Sequence, residues 1–187
     1  MTLQLIKPAD PYEVTQSFGI FNPAYTQFGF DHHNGIDFRI DRDGIVVAMC
    51  EGEVYEVGYN SAAGNFVRYR TLQKVDAEGH TDYVGFMYMH AKTQLVKTGD
   101  KVVAGTPLIV ADNTGFSTGP HTHISAYFLD IASGLKLPYG QANCDYCFDF
   151  SKYYTPDLSP VYATAEQKNS IMKALDWLKL LLNNLKK

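Results

Sequence analysis

The chain has 187 residues and a formal net charge of −4, from 16 Lys+Arg against 20 Asp+Glu. That length suffices for one domain with its own core plus a short appendage. The acidic balance argues against nucleic acid as a general partner, and no apolar run reaches the roughly 18 residues of a membrane span. The opening "MTLQLIKPADPYEV" has no basic n-region leading into an apolar h-region, so no signal peptide is read there. The chain then acts where it is made, arrives by another route, or has its export segment outside this sequence.

In chain order, the first chemistry-bearing stretch is "FDHHNGIDF". Two ligands of one zinc ion must place their donor atoms about 2.0–2.2 Å from it. Residues four apart in a straight strand lie roughly 13 Å apart. A helix would close that gap, but Asn34-Gly35 and the alternating "IDFRI" argue against one. The chain is therefore expected to bend between His33 and Asp37, with Gly35 supplying the bend through positive φ. His33 then sits on a turn and Asp37 opens a strand. His32 is read as a rim residue beside them.

Strands are expected at "DGIVVAMC", "GEVYEVG", "NFVRYRTL", "DYVGFMYMH", "GDKVVAGTPLIVAD" and "GPHTHISAYFLD". Glycine interruptions at short intervals predict a β-sandwich or barrel, and no helical period precedes residue 160. Cys50 ends an apolar run and is expected in the core. His80 lies in a polar turn and is expected to be solvated. Strict alternation in "FMYMH" puts Phe86, Tyr88 and His90 on one face and Met87 and Met89 on the other, toward the core. In "GPHTHIS", His121 and His123 share a face, so one can bind metal while the other stands beside it.

From residue 135 to 163 the texture is loop-rich and aromatic, a wrapping segment and linker. It carries Cys144 and Cys147 in "CDYC". With three cysteines in all, a disulfide framework is not indicated. A local disulfide or two plain thiols is the preferred reading, and a second structural metal the other. The tail "TAEQKNSIMKALDWLKLLLNNLKK" is an expected amphipathic helix over 164–187, with Thr164 and Gln167 as a capping box and Ile171, Leu175, Leu178, Leu182 and Leu185 on one stripe. It is expected to pack on its own domain; a docking or self-association helix is the competing reading.

"HNGID", "YMHA" and "GPHTHI" together resemble the lysostaphin-type (LytM-domain) zinc endopeptidases of bacterial peptidoglycan, marked by H-x-G-x-D, Y-x-H and G-P-H-x-H. "VTQSFG", "GIVVAMCEGEVYEVGY" and "VKTGDKVVAGTPLIVADNTGFSTGPHTH" extend the likeness, which covers residues 13–128. The resemblance implies a mostly β fold, an antiparallel β-sandwich of the duplicated hybrid motif type, here followed by the C-terminal α-helix. It implies a zinc endopeptidase domain over 1–134, one Zn2+ held by His33, Asp37 and His123, and His90 and His121 as the unligated catalytic pair. Which of that pair is the general base stays open.

The implied substrate is a peptidoglycan stem or cross-bridge, and the implied site of action the bacterial cell wall, extracellular or periplasmic. With no signal peptide visible, a phage-encoded or virion-associated source is the favoured route. "GIFNPAYTQFGFDH" and residues 135–150 are expected to wall the groove. The sequence departs from the family pattern at Ile124 and Ser125, where an aromatic residue and a glutamate are common, and at Ala91, where leucine is usual. The competing readings are a catalytically silent wall-binding or activator domain and a structural virion or envelope component of the same fold.

Overall fold

The computed structural model describes residues 1–132 and 146–155. The expected helix over 164–187 and Cys144 lie outside the described residues. Eleven strands are described: β1 (Glu13–Gln16), β2 (Ile36–Arg39), β3 (Ile45–Val47), β4 (Gly52–Asn60), β5 (Gly64–Arg70), β6 (Val75–Ala77), β7 (His80–Gln94), β8 (Lys101–Val102), β9 (Pro107–Ala111), β10 (Thr122–Leu129) and β11 (Cys147–Phe148). Two 3-10 helices accompany them, η1 (Pro23–Phe28) and η2 (Phe150–Tyr153). The fold is mostly antiparallel β, with the strand path β1-β2-β10-β7-β5-β4-β8.

β7 is the spine. At 15 residues it is well beyond an ordinary strand of about 5–6 residues, and successive portions take different partners. Its start pairs with β6, its middle lies between β10 and β5, and its end pairs with β9, which in turn pairs with β3. The ladder breaks register between Ala91 and Thr93 on the β9 side and between Asn65 and Val67 on the β5 side. His90 sits at that break with φ 64°, a left-handed conformation that costs a non-glycine residue about 1–3 kcal/mol.

Two expectations are overturned along β7. Met87 and Met89, expected toward the core, belong to the smaller cluster on the other face, and it is Phe86 and Tyr88 that lie in the main core. His90 does not follow them; it lines the groove together with Met87 and Met89. The left-handed residue ends the period-2 alternation, so His90 leaves the face that the sequence pattern assigns to it.

Alternation holds along β10. Ile124, Ala126 and Phe128 enter the main core, while Tyr127 and Leu129 join a smaller cluster with Phe66, Met87 and Cys147. All eight β10 residues are buried, so both faces of this strand are covered. Residues 146–155 contribute to the same core. β11 pairs with β10 at Ala126 and Tyr127, and Phe148 and Phe150 are fully buried. Phe148 stacks on Phe128 with ring centroids 4.9 Å apart. Burying each such ring removes area worth about 1.5–3 kcal/mol.

Several tyrosines are core residues with satisfied hydroxyls. Tyr69 and Tyr88 are completely buried. The Tyr69 hydroxyl accepts from the Met49 amide at 3.0 Å, and Tyr88 donates to the Val47 carbonyl at 3.1 Å. Cys50 packs against the core, where burial pushes its thiol up to about 12. His80 opens β7, exposed, with its ring 5.3 Å from that of Phe128.

Candidate metal centre

The segment from Ser17 to Asn34 folds back on itself before it enters β2. Gly19 N–H donates to the His33 carbonyl and His33 N–H to the Ile20 carbonyl, each at 2.8 Å. Between these rungs lies η1. Asn22 caps it by accepting from the Ala24 amide at 3.0 Å, Pro23 occupies the first turn, and Gly29 closes it at φ 91°. The Asn-Pro pair is a capping signal of known kind, but a six-residue 3-10 helix is too short to show a helical period.

This fold-back delivers His33. Its Nδ1 lies 2.9 Å from the Ser17 carbonyl. A carbonyl only accepts, so Nδ1 carries the proton and the lone pair sits on Nε2 in the neutral ring. Tyr25 of η1 lies nearly parallel to the ring, at 5.7 Å and 21°. Asp37 and His123 arrive differently. They are cross-strand partners in the β2–β10 ladder, which places their side chains side by side.

Gly35 allows the fit, for a reason other than the expected one. It is not among the glycines at positive φ. A Cβ at this position would lie 2.4 Å from the Ile124 carbonyl oxygen and 2.5 Å from His123 Nε2. What the turn needs from Gly35 is close approach, not left-handed backbone.

His33 Nε2 is 3.2 Å from Asp37 Oδ1 and 2.9 Å from His123 Nδ1, and His123 Nδ1 is 2.9 Å from the same Asp37 oxygen. Two donor-atom contacts of a tetrahedral ion with ligands at about 2.0 Å are separated by about 3.3 Å, close to this triangle. Three electron-pair donors facing one another repel unless a proton or cation lies among them. Two imidazole nitrogens and one carboxylate oxygen suit a borderline divalent cation such as zinc, so the residues present fit such an ion. Among the described residues this is the group of three able to hold a metal, all its donor atoms within 4.8 Å of one another.

The electrostatics agree with that geometry. Burial pushes the Asp37 carboxyl up, but the adjacent His123 and His33 outweigh it and leave the group well below the usual carboxylate range. Burial lowers His123 below an ordinary histidine, against the raising effect of Asp37. His123 Nε2 is buried with no hydrogen-bond partner among the described residues, unlike the Ser17-anchored ring of His33.

His90 and His121 stand beside this group, their ring centroids 4.7 Å apart. Each is oriented by a backbone carbonyl. His90 Nδ1 donates to Thr114 O at 2.8 Å and His121 Nδ1 to Gly119 O at 2.8 Å. Both therefore present Nε2 as the basic atom, and His121 Nε2 lies 3.8 Å from Asp37 Oδ1. Burial, reinforced by His121, lowers His90 to about 4, so it is neutral at ordinary pH. All five side chains line one groove of about 470 Å³. His32 lies outside it, paired with Asp31 at 2.6 Å.

Sequence reasoning gave no individual role to Tyr25, Phe28 or Phe116, which also line the groove. "GIFNPAYTQFGFDH" supplies four of its aromatic or small lining residues, Ala24, Tyr25, Phe28 and Phe30. Residues 133–145, most of the other expected wall, lie outside the described residues.

An uncharacterized metalloprotease of Haemophilus influenzae is 37% identical over 91 residues, 49% of this chain and 18% of that protein. Glycyl-glycine endopeptidase ALE-1 of Staphylococcus capitis is 32% identical over 93 residues, 49% of this chain and 24% of that protein. The chain thus spans about a quarter or less of these relatives' lengths. The catalytic domain of the prophage-encoded M23 protein EnpA from Enterococcus faecalis superposes with a TM-score of 0.54 at 26% identity, covering 71% of this chain and 94% of that domain. The profile of peptidase family M23 matches residues 31–132, more than half of the sequence. The chain belongs to peptidase family M23, a family of metallopeptidases.

Proposed function

We propose that this chain is a zinc-dependent endopeptidase that hydrolyses peptide cross-links of bacterial peptidoglycan. The observation that carries this reading is the convergence of His33 Nε2, Asp37 Oδ1 and His123 Nδ1 in a groove that also holds His90 and His121. His33, Asp37 and His123 would hold one zinc ion, three protein ligands being the number found in catalytic sites. A bound zinc ion supplies Lewis acidity, which acidifies water and polarises a carbonyl.

The chain's own residues do the rest. Ser17 fixes the His33 tautomer, and Thr114 and Gly119 fix those of His90 and His121. The His90–His121 pair divides two tasks. One imidazole takes the proton of the attacking water at Nε2, and the other donates to the oxyanion or the departing amine.

The names of the relatives, with a peptidoglycan DD-endopeptidase of Vibrio cholerae among them (32% identical over 91 residues), support peptidoglycan as the substrate and the cell wall, extracellular or periplasmic, as the place of action. Likeness to a prophage-encoded protein supports delivery by a phage. The two-sided burial of β10 supports the sandwich of the duplicated hybrid motif type, and the pairing of β11 with β10 supports an endopeptidase unit that extends past the expected 1–134 to include residues 146–155.

The test is digestion of purified sacculi by zinc-reconstituted protein. The expected result is release of soluble peptides with new amino termini, stopped by a chelator and restored by zinc. Full zinc occupancy with no release contradicts the hydrolase reading and points to a wall-binding module.

A further inference from the structure

Among the described residues, Gln16, Asn22, Asn34 and Asn60 bring carboxamides to the groove. Three of them are used by the fold itself. Gln16 Oε1 accepts from the Tyr25 hydroxyl at 3.2 Å, Asn22 Oδ1 from the Ala24 amide at 3.0 Å, and Asn60 Oδ1 from the Ala62 and Ala63 amides at 3.0 and 2.7 Å. Asn34 differs. It is only 8% exposed, yet no side-chain hydrogen bond joins it to any other of the described residues. Its polar atoms are not sealed in the interior either, since the fully enclosed orphans among the described residues are Arg68 Nε, Thr122 Oγ1 and His123 Nε2. The small exposed remnant of Asn34 therefore includes its carboxamide, and it opens into the groove beside His33.

The backbone supplies no other reason for asparagine here. Asn34 is not among the residues at positive φ, so the left-handed tolerance of asparagine is not used. It leads into β2 rather than into a helix, so it caps nothing. A desolvated carboxamide without a partner lowers folding stability. Such a group kept on the wall of a groove points to a partner that arrives with the substrate. An extended peptide is that kind of partner. The N–H and C=O of one of its residues face the same side, as at the hydrogen-bonded positions of an antiparallel ladder. A carboxamide has an acceptor oxygen and N–H donors, so it takes both groups at once and reads main chain rather than side chain.

We propose that Asn34 is a substrate-binding residue that grips the main chain of an extended peptide beside the His33–Asp37–His123 group: Oδ1 accepts from the N–H of one substrate residue and Nδ2 donates to the C=O of the same residue. The inference rests on the endopeptidase reading above and adds a binding contact to that same site.

The test uses two probes, pentaglycine and a synthetic stem dimer joined through a D-alanyl bond. Each is made as a series in which one amide at a time is replaced by an ester, which removes a single N–H with little change of shape. Binding is read by calorimetry with zinc-loaded His121→Ala protein, with and without Asn34→Ala. At one position of the tighter-binding probe the ester is expected to weaken binding by about fivefold to tenfold while Asn34 is present, and to change it little once Asn34→Ala is introduced. Ester costs that are the same in both proteins at every position overturn the inference, as does binding of neither probe. An ester effect that depends on Asn34, with no turnover of either probe by zinc-loaded wild-type protein, supports the contact and overturns the hydrolase reading. Asn34→Leu in the otherwise unmodified protein replaces the orphaned carboxamide by an apolar group of similar size. Its metal-free form is expected to melt no lower than wild type and its zinc affinity to hold, while kcat/KM falls by about tenfold, mostly through KM. A lower melting temperature or a weakened zinc site in both Asn34→Ala and Asn34→Leu marks a structural residue and overturns the inference.

Discussion

Gly35→Ala probes the site without touching a ligand. The added Cβ would sit 2.4 Å from the Ile124 carbonyl oxygen, 2.5 Å from His123 Nε2 and 2.7 Å from His123 Cε1. An ordinary carbon–oxygen contact is about 3.3 Å or longer, so the shortfall is about 0.9 Å. The carbonyl belongs to a residue clamped between Ile36 of β2 and Tyr88 of β7 and cannot retreat cheaply. The His33–Asp37 turn or the His123 ring must move instead, by several tenths of an ångström. A metal site tolerates about ±0.2 Å in its ligand distances.

Overpacking of this kind costs about 1–3 kcal/mol, which at this chain length corresponds to about 2–12 °C in Tm. Zinc affinity is expected to fall by about 10- to 100-fold, as it does when a ligand loses its support. Calorimetric melting of metal-free protein and competition against a chromophoric chelator read the two effects separately. Unchanged zinc affinity in Gly35→Ala would refute the claim that Gly35 is required for close approach at the site.

Other expectations follow from the same geometry. His123→Ala should abolish zinc binding, whereas His121→Ala should keep the metal and lose turnover; metal analysis beside a peptide-release assay distinguishes them, and an active His121→Ala protein contradicts the proposed division of roles. His90 should titrate near 4 in an NMR titration of metal-free protein, and a midpoint near 6.5 would contradict its burial. The unfolded chain takes up this proton near 6.5 while the native state resists it down to about 4, so the metal-free protein should lose stability as pH falls through that window. Tyr69→Phe removes the acceptor of the buried Met49 amide and should cost about 1–3 kcal/mol in denaturant unfolding, with zinc binding unaffected.

The parts of the fold that rest on local patterns were legible in the sequence. β5 follows its alternation, with Val67 and Tyr69 in the main core and Phe66 in the smaller cluster, and His121 and His123 both reach the groove at the start of β10. The spacing of His33 and Asp37 implied a bend, and a bend is present. What local pattern could not give was anything set by a distant partner. His90 leaves the Phe86–Tyr88 face because of a left-handed residue at a register break, and nothing in "YMHA" marks that conformation. Gly35 was read for its φ, but its neighbour is a histidine 88 positions further along the chain. The carbonyls of Ser17, Thr114 and Gly119 that fix three imidazoles carry no side-chain signature at all. The core role of Phe148 and Phe150 was hidden because a short aromatic stretch among turn residues has neither helical nor strand period.

The most direct measurement is a zinc anomalous difference map from crystals of the metal-loaded protein. The account predicts one peak within about 2.0–2.2 Å of His33 Nε2, Asp37 Oδ1 and His123 Nδ1, with His90 and His121 unligated beside it. A peak that engages His90 or His121 in place of one of those three, or an ion bound elsewhere with this group left empty, would contradict it.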